Sequence, residues 1–268
     1  MTLLVAALLG IVQGVTEFLP VSSTAHLLLI GRWLGHDDPG GVFTVMIQLG
    51  SILAVMWLYR AKIVDVITGL RARADARHFA AAIVVATIPA LLAGAFLSGL
   101  VKRVLYGSPM VFAVAFIVGG IVMLIVERVR PAAAVVDAQR TPLKSAFAIG
   151  VCQALALIPG VSRSGATIVG GMMLGLDRPA AAEFSFFLAM PVMTAAFAHD
   201  LLEVRHNLSP ARAAEIGVGL TLAFVSSLLI IRPFLGFVRR SGFAPFAWYR
   251  IALGLGLLAA MAAGWMNR

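Results

Sequence analysis

The stretch QGVTEFLPVSSTAH, residues 13–26, decides how this chain folds. It lies inside an apolar block running from Leu3 to Leu34, yet it carries an amide (Gln13), a carboxylate (Glu17), an imidazole (His26) and the hydroxyls of Thr16, Ser22, Ser23 and Thr24. A helix crossing lipid in one piece would turn these groups toward hydrocarbon, where an ionisable side chain is costly. Pro20 stands in the middle and stops the helix. The pieces on either side are about 14–17 residues, roughly 21–25 Å at 1.5 Å per residue, too short for a hydrocarbon core of about 30 Å. The block is therefore expected to enter the membrane and return as a re-entrant hairpin. Irregular backbone at that depth is tolerated only inside protein or against a wet cavity, so the tip should line one.

Composition agrees. Of 268 residues, 61% are hydrophobic and only 12% charged, and the mean hydropathy is +0.99. That is more apolar surface than one soluble core can hide, so the expected class is an all-α polytopic membrane protein in a single domain over 1–268. The formal charge of +9 does not indicate nucleic acid, because the cations sit in short connectors between apolar blocks. Cys152 is alone, so no internal disulfide can form. The first block lacks a basic leader and is interrupted by Gln13 and Glu17, so it reads as part of the mature fold rather than a signal peptide.

Six continuous apolar runs have spanning length: 43–59, 79–100, 109–126, 182–199, 211–231 and 247–266. The connectors 60–78, 127–144 and 232–250, together with Arg178, hold fourteen Lys and Arg, Arg250 among them; the opposite side holds six. Lys and Arg accumulate in the cytoplasm, which places both termini outside.

A second apolar block, 145–175, is also broken, at Pro159-Gly160. Sliding the chain by 140 residues pairs Gly10, Gln13, Val21, Ser22, Gly31, Leu34, Gly35, Asp37 and Pro39 with identical residues, the first at Gly150 and the last at Pro179. Each copy, about 1–140 and about 141–268, then holds one hairpin and three spans. An odd number of crossings turns the second copy upside down. This is the inverted-topology repeat, in which paired broken helices meet near the midplane and form the site.

At the tips, Gln13 and Glu17 share a helix face, and Ser22, Ser23 and Thr24 read as the N-cap region of the next half-helix. His26 lies three residues after Ser23, a spacing that permits contact. The second tip reads PGVSRSGAT, Pro159–Thr167, with a capping Ser162, the cation Arg163, then Ser164, Gly165 and Thr167. A half-helix N-terminus with an Arg beside it suits a phosphate. Serine and threonine in membrane helices commonly bond the preceding turn, and Gln13 and Gln153 could each be interhelix donors. The sharper candidates are Glu17, His26 and Arg163. Trp248 and Tyr249 read as interface anchors, and His36, His78, His199 and His206 as interfacial residues.

QGVTEFLPVSSTAH followed by PGVSRSGAT closely resembles the two signature motifs of the undecaprenyl-diphosphate phosphatase family, the bacterial membrane enzymes associated with bacitracin resistance. The resemblance covers essentially the whole chain. It implies removal of the terminal phosphate from a C55 polyprenyl diphosphate lipid, regenerating the monophosphate carrier for peptidoglycan and other envelope glycans. It also implies action at the outer face of the cytoplasmic (inner) membrane, a divalent cation such as Mg2+ or Ca2+, and a homodimer. Carried over by motif position, Glu17, Ser23, His26 and Arg163 are the principal functional residues. The first acidic position of the family's motif is Gln13 here, which leaves it as a neutral metal ligand or a hydrogen-bond partner beside Glu17. The expected division of labour has Arg163, with Ser162, Ser164, Gly165 and Thr167, and Ser22 and Thr24 opposite, binding phosphate. Ser23 is the candidate nucleophile with His26 as its base, and His26 itself or water are the alternatives. The rival class is a transporter or lipid flippase, for which Glu17 and His26 would relay protons.

Overall fold

The computed structural model describes residues 2–36, 38, 41–105, 108–205 and 210–264. The helices are α1 (Leu3–Thr16), α2 (Ser23–Trp33), α3 (Val42–Leu58), α4 (Arg60–Gly69), α5 (Ala74–Leu105), α6 (Pro109–Val129), α7 (Leu143–Ala154), α8 (Arg163–Met173), α9 (Arg178–Val204), α10 (Pro210–Ser241) and α11 (Ala244–Ala262). No strand forms among the described residues. Asp37, Pro39, His206 and Arg268, used in the repeat, histidine and charge arguments above, lie outside them.

The sequence signals account for the boundaries. Pro109 opens α6, where its missing N–H costs nothing. Asp177 caps α9, its Oδ1 accepting from the Ala180 amide at 2.7 Å. Gly35 and Gly175 end α2 and α8 at matching positions with φ of +64° and +88°, a left-handed conformation that glycine adopts without penalty.

Among the described residues, five helices are long and apolar enough to cross a membrane: Ala74–Leu97 within α5, Pro109–Val129, Arg178–Leu202 within α9, Arg212–Ser241 within α10, and Ala244–Ala262. The sixth expected span corresponds to α3, which reaches that class only together with α4, across a 67° bend after Leu58. The connector 60–78 is thus largely helical. Its first turns carry Arg60, Lys62 and Asp65. Both broken blocks are hairpins of short helices, α1 and α2 around Glu17–Ser22, and α7 and α8 around Leu155–Ser162. At 11–14 residues these helices are shorter than the sequence suggested, roughly 16–21 Å long.

The hairpins are held crosswise. α1 packs chiefly on α10, and α7 packs chiefly on α5; α6 lies along α11, and α3 lies against both α10 and α9. The close approaches rest on glycine. A Cβ on Gly10 would collide with the Gly219 carbonyl, and one on Gly150 with the Ala86 carbonyl. Small residues let membrane helices approach until backbones touch, and buried hydroxyls tie them together. Ser227 of α10 donates to the Gly14 carbonyl of α1 at 3.1 Å and lies 3.1 Å from the Ser51 hydroxyl of α3. The principal apolar core gathers Phe18, from the first hairpin break, with Phe79, Phe184, Phe186, Phe187 and Phe234.

One cation was misplaced by the charge count. Arg250 is not part of a cytoplasmic connector: it lies in α11, 2% exposed. Its guanidinium donates to the carbonyls of Pro20 (3.2 Å), Ala115 (2.9 Å) and Gly160 (3.0 Å), so it ties both hairpin breaks to α6. Removing it leaves thirteen cations against six, and the bias keeps its sign.

Candidate active site

The two tips meet. Glu17 caps the C-terminal end of α1, and its Oε1 accepts from Nη2 of Arg163, the first residue of α8, at 3.0 Å. Its other oxygen, Oε2, accepts from the Ser23 hydroxyl at 2.5 Å and from Nε2 of Gln13 at 2.9 Å. Gln13, Glu17, Ser23 and Arg163 therefore form one bonded group, built from both hairpins and nearly removed from solvent. A buried carboxylate needs such partners, because neither desolvation nor charge is otherwise compensated. Arg163 Nη1 donates further to the Ser185 carbonyl of α9 at 3.1 Å. The Ser185 hydroxyl sits 2.7 Å from that of Thr167.

Beside this group lies a cavity of about 240 Å3. Its walls include Glu17, Ser22, Ser23 and Thr24 from one tip, Ser162 and Arg163 from the other, and Gln48 and Gln153. Ala90 follows Pro89 within α5, and Val192 and Met193 follow Pro191 within α9, so two proline-interrupted helices also reach the wall. The N-termini of α2 and α8 both open onto this space, as the sequence predicted. Ser162 caps α8 as expected, its Oγ accepting from the Gly165 amide at 3.1 Å. That bond occupies the Gly165 N–H, which the sequence reading had assigned to phosphate. The first-turn amides of Arg163 and Ser164 remain the donors a helix N-terminus offers to an anion.

Ser164 and Thr167 sit behind the wall. Ser164 donates to the Leu19 carbonyl at 2.7 Å, which pins one tip to the other. Thr167 is close to the Arg163 and Ser164 carbonyls, at 3.0 and 3.1 Å, and steadies the first turn of α8. Ser22 occupies the N-cap of α2 without capping it by its side chain. Its φ of +70° is the one positive φ on a non-glycine among the described residues, a strained conformation of the kind found at functional turns.

The expected Ser23–His26 contact does not form. His26 Nδ1 donates to the Ser22 carbonyl at 2.7 Å, and Nε2 lies 2.6 Å from the Tyr249 hydroxyl. A carbonyl only accepts, so Nδ1 holds the proton, and in the neutral ring Nε2 accepts from Tyr249. The imidazole also stacks on the Tyr249 ring, at 5.7 Å and 12°. Tyr249 is thus more than an interface anchor.

Tyr249, Ser185, Gln48 and Arg250 also build the site and are absent from the candidates the sequence supplies. Arg250 lies inside the apolar run 247–266, and the rule that singled out Glu17 and Arg163 applies to it equally. Neither a lone tyrosine near a span end nor one serine in an apolar helix carries a comparable signal.

Fold and site together define a polytopic membrane protein that encloses a polar-lined cavity between two paired helix breaks. The comparisons sharpen that class. Residues 6–256 match the model of the family described as bacitracin resistance protein BacA, and the chain belongs to that family. An undecaprenyl-diphosphatase of Cereibacter sphaeroides is 50% identical over 264 residues, covering 98% of each chain. Undecaprenyl-diphosphatase 1 of Agrobacterium fabrum is 50% identical over 260 residues, 97% of each. The undecaprenyl-diphosphatase of Phenylobacterium zucineum is 50% identical over 254 residues, 94% of this chain and 96% of that one. These relatives favour the hydrolase over the transporter.

Proposed function

We propose that this chain hydrolyses undecaprenyl diphosphate, or a closely similar polyprenyl diphosphate, to the monophosphate and inorganic phosphate in the bacterial cytoplasmic membrane, and thereby confers bacitracin resistance. The observation that carries the proposal is the linked Arg163–Glu17–Ser23 group at a cavity where two half-helix N-termini converge. The cavity suits a head group and not a C55 chain, so the tail stays in the apolar surroundings.

Phosphoryl transfer asks mainly for positioning and charge stabilisation. Arg163, aided by the Ser162 turn and the α8 amides, holds the non-bridging oxygens of the diphosphate. Ser23 attacks the terminal phosphorus while Glu17 Oε2, already bonded to its hydroxyl, takes the proton. The bridging P–O bond breaks, and the lipid monophosphate leaves with that proton. Water then attacks the phosphoserine, and its proton returns through Glu17 to Ser23. His26, turned toward Tyr249, shapes the turn at Ser22 rather than serving as the base of Ser23. This replaces the expected Ser23–His26 pair by Ser23–Glu17.

A divalent cation, Mg2+ or Ca2+, has one carboxylate and one neutral oxygen to bind here. Oε1 of Gln13 is buried without a partner beside Glu17. No group of three or more His, Cys, Asp or Glu with metal-holding geometry exists among the described residues. The donor set therefore fits an ion shared with substrate phosphate oxygens better than one caged by protein. When bound, it would neutralise charge on those oxygens.

The cation bias supports termini and cavity opening on the outer, periplasmic side, and the crosswise packing of the hairpins supports two inverted halves, about 1–140 and 141–268. A homodimer, with no nucleic-acid partner, completes the proposal. The deciding experiment is phosphate release from a polyprenyl diphosphate by purified protein in micelles. Release with wild type and its loss in Glu17→Ala and Arg163→Ala are expected; turnover by both variants at near wild-type rate would remove this site from the reaction.

A further inference from the structure

Gln153 occupies the last turn of α7, just before the second break, at the position matching Gln13 in the first hairpin. The two amides are treated differently. Gln13 donates to Glu17 four residues on, whereas the residue four places after Gln153 is Leu157. Gln153 is 3% exposed, and neither its Nε2 nor its Oε1 has a hydrogen-bond partner in the protein. It lines the same cavity as Glu17, Ser23 and Arg163. Of the six unpartnered buried side-chain polar atoms among the described residues, three belong to residues of this wall: both amide atoms of Gln153 and Nε of Arg163. A buried amide is normally bonded, and leaving one unbonded weakens the fold. Gln153 is thus placed where a ligand, and not the protein, completes its bonding.

We propose that Gln153 is a substrate-binding residue whose Nε2 donates to a non-bridging oxygen of the lipid diphosphate, from the α7 side of the cavity that Glu17 and Ser23 also line. The inference rests on the phosphatase reading above. It assigns the amide to recognition, while the proton transfers stay with Glu17 and Ser23. A neutral donor suits that place, since it binds phosphate without competing with Arg163 for Glu17.

The test uses Gln153→Leu and, as a second volume-conserving variant, Gln153→Met, in purified full-length protein. Two quantities are read: KM and kcat for phosphate release, and the thermal midpoint with and without a non-hydrolysable methylene diphosphonate of a short polyprenyl alcohol. Expected are a KM raised about 5- to 50-fold with kcat changed much less, and an unliganded midpoint equal to or above wild type, because an apolar isostere replaces an unpaired amide. The diphosphonate should shift the variant midpoint less than that of wild type. A lowered unliganded midpoint with unchanged KM in either variant assigns Gln153 to packing and overturns the proposal. So does an undiminished diphosphonate shift. Absence of phosphate release by wild type would instead fail the phosphatase reading, a result separable from both.

Discussion

Arg250→Met removes the guanidinium that bridges the two hairpin breaks and keeps most of the side-chain volume. Three carbonyls lose a donor, but not equally. Ala115 lies within α6, where its carbonyl has the helix ladder, whereas Pro20 and Gly160 lie at the breaks, outside any helix. Two charge-assisted bonds at about 1.5–3 kcal/mol each put the gross loss near 3–6 kcal/mol. Relief from burying a cation offsets part of this. The net expectation is a destabilisation of about 2–4 kcal/mol, and loosened tips should lower turnover by roughly 10- to 100-fold, because positioning errors of an ångström weigh heavily. Arg250→Lys should fall between the two, since an ammonium cannot reach three carbonyls from one point as the planar fork does. The assay is unfolding in detergent micelles, followed by intrinsic tryptophan fluorescence, beside phosphate release on the same preparations. Arg250→Met with wild-type midpoint and wild-type turnover would refute the bridging role.

Three further predictions concern the site and its packing. Arg163→Ala should cost both stability and turnover, the latter by about 10²–10³-fold; adding Glu17→Gln should recover stability without turnover, and a double variant no more stable than Arg163→Ala would show that the pair is not coupled. Gly150→Ala drives a Cβ into the Ala86 carbonyl and should destabilise by about 1–3 kcal/mol, whereas Gly94→Ala, within α5 and with open space around it, should be neutral or stabilising by up to about 1 kcal/mol; equal effects measured by unfolding would contradict the close approach. Ser23→Ala should abolish phosphate release more than 100-fold, and retention of full turnover alongside an inactive His26→Ala would move the nucleophile to the imidazole.

Much of this architecture was legible because lipid is a demanding solvent. Span length, the breaks at Pro20 and Pro159-Gly160, and ionisable groups at membrane depth each follow from one physical cost, and they led directly to Glu17, His26 and Arg163, whereas the role of Ser23 is implied by the motif resemblance. The bonded partner of Ser23 was not legible: i, i+3 spacing permits Ser23 and His26 to touch, but the left-handed Ser22 turns the imidazole toward its own carbonyl and Tyr249. Arg250 was misread because a cation near the end of an apolar run looks alike whether it snorkels outward or folds inward. Helix α4 was read as a connector because a short polar helix after a bend carries no spanning signature.

The crosswise seating of the hairpins bears on how the protein is made. Gly150 of α7 docks on Ala86 of α5, a helix synthesised earlier, so the second hairpin finds its seat waiting. Gly10 of α1 docks on Gly219 of α10, which emerges 209 residues later. At roughly 5–20 residues per second that is a wait of about 10–40 s. For that interval α1, too short to span, carrying Gln13 and capped by Glu17, has neither its seat nor Arg163. Two halves alike in plan thus assemble on different schedules, and the half that bears Glu17 is the one that waits longest for its packing partner.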